Sequence, residues 1–575
     1  MTIAAIEMSS TPGIPQRQRY LERLAFLDTE RSSWLAHWID LSDYIFPRRF
    51  RYLTTDRNKG TKRNDKIINN TPTLSVRILA AGKMAGLTSP ARPWLRFVVS
   101  DPSLSDDYEI KSWLLIAEHA FYETMAKSNL YNCLHEMYGV QATFATAALY
   151  VAEDEEDDVR GFVLPIGQFY LASSARGRID TLYRKFSFTV GQLVDEFSPE
   201  NCTPQVKQRY AEGKYDEWVD VIHVVEPNRG RDRRYADAKH MPWRSCWFEA
   251  SADTTHQRAL RVSGYEEFPF MVARWHVTGE DVYGSGSPGM DTLGDCKAIQ
   301  TLERRKAQAV DKLVSPPMKA PATMKTQRIS LLPGDTTYVT EGQQEAFKPS
   351  IDVKPESVTV ATASIVDHEK RIGRAFYTDL FMMMLLDDRQ QPSTAREINE
   401  RHEEKMLQLG PVVERDEDEL LDPLVNRVLK ILFRRGKIPP PPARLAGRNV
   451  KIEYISVMAQ AQKLLGTAST ERLVSFVGST SAAKKEVLDI VNFDNVIIEY
   501  AKMLGVPPDM INPIEVVMKI RELRAQQEQA TAAGQASLAA VQGAKVASQA
   551  DLGGDNLLNR LLQTAGGGGG PIGQA

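Results

Sequence analysis

Apolar residues recur at helical spacing along residues 15–46: Leu21, Leu24 and Leu27, then Trp34, Trp38 and Leu41. That spacing predicts a helix pair, ended by Pro47 and followed by a basic loop with Arg48, Arg49 and Arg51. Thr71–Pro72 reads as an N-cap followed by proline at the first helical position. This helix runs through Leu79 and Met84 to GLTSPARPW, where two prolines force extended chain. Residues 106–150 read as helix again, with Trp113, Ile116, Ala120 and Phe121 on one face.

The character changes at the acidic run Glu153–Asp158. Beyond it, β-branched and aromatic residues between turn signals predict strands at 159–164, 166–172, 179–188, 217–226, 243–250 and 269–277. The acidic run reads as a solvated hairpin tip. A metal site is the competing reading, disfavoured because consecutive carboxylates point in different directions.

Residues 288–313 predict a strong helix opened by Ser287–Pro288, with Ile299, Leu302, Ala309, Val310 and Leu313 on one stripe and Pro316–Pro317 as the stop. A proline-rich, β-like segment with the turn Pro333–Gly334–Asp335 follows to about 355. A second helix is predicted at about 359–380, where Asp367 and Arg371 can pair. After the break MMMLLDDRQQPS, Thr394 and Glu397 form a capping box opening a long helix to about 435, with a kink expected at Gly410–Pro411. Four prolines at 439–442 mark a boundary, a short strand is predicted at 449–455, and helices continue to about 530, the last capped by Asn512–Pro513. The Ala/Gln/Gly-rich end, 531–575, has the composition of a disordered tail.

Composition narrows the function classes. The chain has 575 residues, 42 % hydrophobic and 25 % charged, an ordinary globular balance. With 71 Lys+Arg against 74 Asp+Glu the net charge is −3, unlike a protein that grips nucleic acid through a basic domain. Cys133, Cys202, Cys246 and Cys296 are far apart and read as reduced structural thiols. The first residues lack a signal-peptide pattern, and the longest apolar run, Leu380–Leu386, is too short to span a membrane. The expectation is a soluble protein made in a reducing compartment.

One motif looks enzymatic. Gly284-Ser-Gly286-Ser-Pro-Gly289 matches GxGxxG at the opening of a helix. A dinucleotide fold needs a second strand after that helix and an acid about 20 positions on. Here Pro316–Pro317 stands where the strand belongs, and Glu303 lies inside the helix. The motif therefore reads as a flexible lead-in, with nucleotide binding a remote alternative. The chain contains no P-loop, GxSxG or HExxH pattern, and no catalytic residue, cofactor site or metal site is assigned.

The order helix, small β insertion, return helix, loop, long helix describes a stalk of about 39 Å that one subunit cannot cover on all sides. Such elements pack against copies of themselves, and ring closure is a standard solution.

Several stretches carry a specific likeness: GLTSPARPWLRF (86–97), YGSGSPGMDTLGDCKAIQTLERRKAQAVDKLVSPPM (283–318), RIGRAFYTDLF (371–381), TAREINERHEEKMLQLGPVVERDEDELLDPLVNRVLKIL (394–432) and KIEYISVMAQAQK (451–463). They resemble the head-to-tail connector, or portal, proteins of short-tailed bacteriophages, in the same order from about residue 15 to 520. The resemblance implies an α+β, mainly helical subunit with wing, stem, clip and crown. It implies a dodecameric ring, a homododecamer, at one capsid vertex. Double-stranded DNA would pass without sequence specificity during packaging and ejection. A terminase motor, tail or adaptor proteins, and capsid and scaffolding proteins would dock on it. The protein would be a virion component made in the host cytoplasm, without catalysis.

Element by element, the resemblance implies a flexible N-terminus at 1–14, a wing at 15–287 and a first stem helix at 288–313. The clip follows at 314–358, the second stem helix at 359–381 and the tunnel loop at 382–393. The long helix and return strand take 394–455, the crown 456–530, and 531–575 matches nothing. In the clip, Lys319, Lys325 and Arg328 have no acid between 315 and 330. They read either as a solvated loop or as a docking contact for DNA, motor or tail. In the tunnel loop, Met382–Met384 would finish the stem helix in the core, while Asp387, Asp388, Arg389, Gln390 and Gln391 would face the lumen. Another structural virion protein, such as a tail adaptor or scaffold, is the alternative function.

Overall fold

The computed structural model describes residues 16–47, 64–99, 101, 107–235, 237–250, 259–319, 348–350, 354–385, 409–445, 450–455, 473–477, 479, 491–497, 516–531 and 539. The chain divides into two compact units, Met1–Ala468 and Ser469–Ala575.

The first unit opens with one helix, α1 (Gln16–Tyr44), not the pair that the spacing predicts. No glycine or proline interrupts those residues, so nothing breaks the backbone ladder. Helix α2 (Thr71–Leu87) starts with proline in its first turn as expected, and β1 (Leu95–Val99) uses the extended chain after the proline pair.

The helix predicted over 106–150 is two helices and a strand. Asp107 caps α3 (Tyr108–Lys127) by accepting from Glu109 N–H. After α4 (Leu130–Phe144), Ala145 takes a left-handed conformation, φ 59°, and β2 (Thr146–Asp154) begins. The apolar run FATAALYV carries no period that separates buried helix from buried strand. Pairing decides it, because β3 (Asp158–Leu164) and β9 (Phe270–Arg274) flank β2 on both sides, antiparallel.

The acidic run forms the β2–β3 hairpin tip. Asp154 Oδ1 accepts from the N–H groups of Glu156 and Asp157. Burial would raise the Asp158 carboxyl, but ion pairs with Lys437 at 2.5 Å and Arg435 at 3.1 Å hold it below the ordinary range.

A second sheet is an antiparallel meander of β4 (Phe169–Ser173), β5 (Ile179–Thr189), β6 (Trp218–Pro227), β7 (Trp243–Glu249) and β8 (Arg261–Tyr265). Between β5 and β6 lie two short helices that the pattern does not announce, α5 (Val190–Phe197) and α6 (Pro204–Ala211). The Thr189–Gln192 capping box and the Thr203 cap start them. Alternation along β6 sends Ile222 and Val224 toward Tyr20 and Leu27 of α1, and Val219 and Val221 toward α5 and α6. Covering both faces makes this a three-layer region.

The stalk is α7 (Pro288–Asp291), α8 (Leu293–Val314), the two-stranded tip β10 (Met318–Lys319) with β11 (Lys348–Pro349), and the return helix α9 (Pro355–Ala375). Helix α9 starts at Pro355, before the predicted 359, because proline suits the first turn. It stops where Tyr377 turns left-handed, φ 54°. Thr378 Oγ1 then donates to the Gly373 carbonyl and α10 (Thr378–Leu385) follows.

Residues 409–416 are helical, lead into a π-turn, Glu417–Leu421, and continue as α11 (Asp422–Arg434). Gly410 and Pro411 stand at the start of the described helical stretch, and the turn before them, where the expected kink would show, lies outside the described residues; a π-turn sits before Pro423, whose missing N–H cannot serve an i→i−4 bond. The predicted capping box at Thr394 and Glu397 lies outside the described residues. Strand β12 (Val450–Tyr454) returns as predicted and pairs antiparallel with β1. In the second unit, Arg521 of the 516–531 helix makes two 2.7 Å bonds to Asp494.

Candidate functional site: the stalk and its root

At the root of the stalk every partner is close. Gln300 is 3 % exposed on α8. Its Oε1 accepts from the N–H groups of Ile68 and Asn69, and its Nε2 donates to the Asn69 carbonyl. Asn69 Nδ2 in turn donates to Glu303 of α8 and Glu369 of α9. Thr71 Oγ1 adds a bond to Glu369. The stretch before α2 therefore ties both stalk helices together. Between the helices, Asp295 lies 2.8 Å from His368 Nδ1 and 3.3 Å from Arg371. Arg371 also takes the expected Asp367 partner at 3.1 Å. His368 of α9 thus lies at the interface with α8.

Away from the root this changes. Val310, Leu313, Val314 and Val360 are 39–79 % exposed. Val310, Leu313 and Val314 continue the α8 stripe that Cys296 and Ile299 bury at the root, and Val360 lies on the return helix α9. Transferring such side chains out of water is worth about 1.5–3 kcal/mol each when burial is complete, so the outer half of the stalk has unused apolar surface.

Lys319 is exposed on β10 and stands opposite Lys348 in the two-stranded tip. Lys325 and Arg328 lie outside the described residues, as do Asp387, Asp388, Arg389, Gln390 and Gln391. Met382 is helical, as expected, but 42 % exposed and not in the core.

The GxGxxG stretch has a packing role. Gly284 lies against the Ala145 carbonyl, where an added Cβ would stand 2.1 Å from the oxygen, and its N–H donates to Thr146 Oγ1. A Cβ added at Gly289 would likewise stand 2.5 Å from the Thr143 oxygen. Ser287 caps Met290 and donates to the same Thr143 carbonyl. The close approach that glycine allows is here to protein backbone, with α4 and β2 occupying the place a phosphate would need.

An open recess of about 430 Å³ beside it is lined by Trp275, Pro288, Asp291, Arg371, Arg374 and Tyr377. Its lining offers no serine, cysteine or histidine. Burial pushes the thiols of Cys133 up to about 11 and of Cys202, Cys246 and Cys296 up to about 12, so these buried cysteines stay protonated.

Sequence reasoning misses the most buried charge in the unit. Lys83 of α2 and Asp416 are 1 % and 0 % exposed and 2.5 Å apart. Lys83 Nζ also donates to Gln141 Oε1, and Gln141 Nε2 to Asp416 Oδ1. The rings of Tyr138 and Trp275 lie 4.8 and 5.0 Å from the ammonium. Burial pushes the Lys83 pKa down, opposed by Asp416. One signal was available: Lys83 interrupts the apolar stretch ILAAGKMAGL. Its partner lies too far along the chain to be read.

The family model for the bacteriophage head to tail connecting protein matches residues 17–511. The portal protein of Salmonella phage epsilon15 is 45 % identical over 554 residues, 96 % of this chain and 99 % of that one. The probable portal protein of Bordetella phage BPP-1 is 41 % identical over 520 residues, 90 % and 92 % of the two chains. Among solved structures, the neck of an empty GTA particle computed with C6 symmetry shares 13 % identity at a TM-score of 0.30, covering 73 % of this chain and 90 % of that one.

Proposed function

Since this chain belongs to the bacteriophage head to tail connecting protein family, we propose the working unit through which it acts. Its function is that of a viral portal, the connector between phage head and tail, and it is a structural protein, not an enzyme. The working unit is a dodecameric ring at one capsid vertex. Double-stranded DNA passes through its centre during packaging and ejection, and a terminase motor and later tail proteins dock on the clip. Residues 288–313 and 359–381 act as stem, 314–358 as clip and 382–393 as tunnel loop.

The observation that supports the ring is the uncovered apolar stripe at Val310, Leu313, Val314 and Val360. A second copy supplies the partner that the stripe lacks, and head-to-tail repetition closes it. Near-neutral net charge suits passage, because dense phosphate contacts would bind DNA with steep salt dependence. Lys319, Lys325 and Arg328 serve docking, with Lys319 already in water at the tip. Light scattering or native mass spectrometry tests the ring: the expected mass is that of a dodecamer or a neighbouring ring size. A folded monomer persisting across micromolar concentrations refutes it.

A further inference from the structure

Helix α2 touches both ends of one long stretch of chain through two consecutive residues. Gly82 receives the ring of Phe381, so closely that a Cβ there would lie 2.1 Å from its Cδ1. Phe381 is 2 % exposed and sits in the middle of α10. The next residue, Lys83, holds Asp416 at 2.5 Å, in the helical stretch by which the chain returns. Phe381 and Asp416 bracket residues 382–415, the stretch that contains the proposed tunnel segment. The other end of α2 begins at the stalk root, where Asn69 and Thr71 bond Glu303 and Glu369. From Thr71 to Lys83 is about 18 Å of helix.

The chemistry at Lys83 is directional. Lys83, Gln141 and Asp416 form a closed triangle of two hydrogen bonds and one ion pair, each side 2.5–2.8 Å. An apolar contact of the same size would tolerate sliding. A buried charge accepts only the residue that answers it, and replacing both partners by apolar groups is often neutral for folding. The register is checked twice, because Glu419 in the adjoining π-turn pairs with Arg274 at 2.6 Å. Moving this helix by one residue breaks both pairs.

We propose that Gly82–Lys83 is a positioning anchor: it holds the entry and exit of residues 382–415 at one place on α2, and α2 acts as a strut setting that place relative to the stalk root. The anchor rests on the portal reading only for what residues 387–391 do.

Amide exchange in assembled full-length protein tests the anchor, with DNA retained in particles as a separate readout. Gly82→Ala displaces Phe381; it is expected to speed exchange about tenfold in 378–385 and also in 409–421. Phe381→Ala probes the same contact if Gly82→Ala does not assemble. The triple variant Lys83→Met/Gln141→Leu/Asp416→Leu removes both buried charges together with the buried amide that bonds them, so no polar atom of the trio is left unpaired. It is expected to assemble like the parent, yet exchange about tenfold faster in 409–421 and retain less DNA. Parental exchange in the triple variant overturns the anchor. So does a Gly82→Ala or Phe381→Ala effect confined to 378–385, which would make the two contacts independent. Faster exchange at both ends with normal DNA retention supports the anchor and instead refutes the tunnel role of 387–391.

Discussion

Glycine and lysine carry the most information at the residue scale, and both were visible in the sequence without their meaning. The GxGxxG pattern was legible as a motif, and its missing second strand argued against a nucleotide. What the glycines do instead depends on Ala145 and Thr143, which only the fold brings close. The three positions should respond differently. Gly284→Ala and Gly289→Ala place a methyl against a carbonyl and should each cost about 1–3 kcal/mol, as overpacking does. Gly286→Ala meets nothing closer than His276 Cβ at 3.6 Å and should be nearly neutral. Chemical unfolding of the three variants checks this. Equal tolerance at all three would remove the packing account, and saturable ATP or NAD binding lost in Gly286→Ala would restore the nucleotide reading. Lys83 shows the other limit: an isolated cation in an apolar helix signals a buried partner but does not name it.

Elements were legible where local chemistry decides them. The strands at 158–164, 179–189, 218–227 and 243–249 and the return strand at 450–454 follow alternation and turn residues. The errors fall where pairing decides. β2 was read as helix because its apolar run has no period, and β8 was not foreseen. The meander also contains an ionisable residue with a testable consequence. His223 of β6 is fully buried, stacked 3.7 Å from Trp247 and bonded to Arg184 and Ser245. Burial first, and then the charges of Arg184 and Arg261, hold its pKa well below the ordinary 6.5. Above 6.5 the imidazole is neutral both folded and unfolded, and pH has no effect through it. Below 6.5 the unfolded chain takes up a proton that the folded sheet refuses, so stability falls as pH falls. Between pH 6.5 and 5.5 the parent should lose about 1 kcal/mol more than His223→Gln. Denaturant unfolding at the two pH values measures the difference, and equal losses would mean that His223 is protonated in the folded sheet.

For the whole molecule, the proposed ring makes a single chain one part of a larger object. The stalk was legible as helix, insertion and return helix, and Val310 and Leu313 were expected on its apolar stripe. The sequence could not show that Cys296 and Ile299 join the core at the root while the side chains beyond them stay open, since that is a property of the fold. In a ring each subunit's segment 387–391 becomes one repeat of a band. Asp387 and Asp388 against Arg389 leave that band net negative, so it repels phosphate, while Arg389 offers a contact that salt screens within about 8–10 Å. In the proposed ring a band of this kind would limit adhesion during passage while surrounding the DNA. Its flanks are tied to α2 at Gly82 and Lys83, through contacts that involve none of the exposed stalk side chains Val310, Leu313, Val314 and Val360. Deleting 387–391 should therefore leave the ring mass unchanged while lowering the DNA held at the end of packaging. The measurement compares DNA packaged with DNA retained in mutant and parent particles, after confirming ring mass in both. Normal retention from intact rings would make the segment a connector only, and a changed ring mass would place it in the subunit interface.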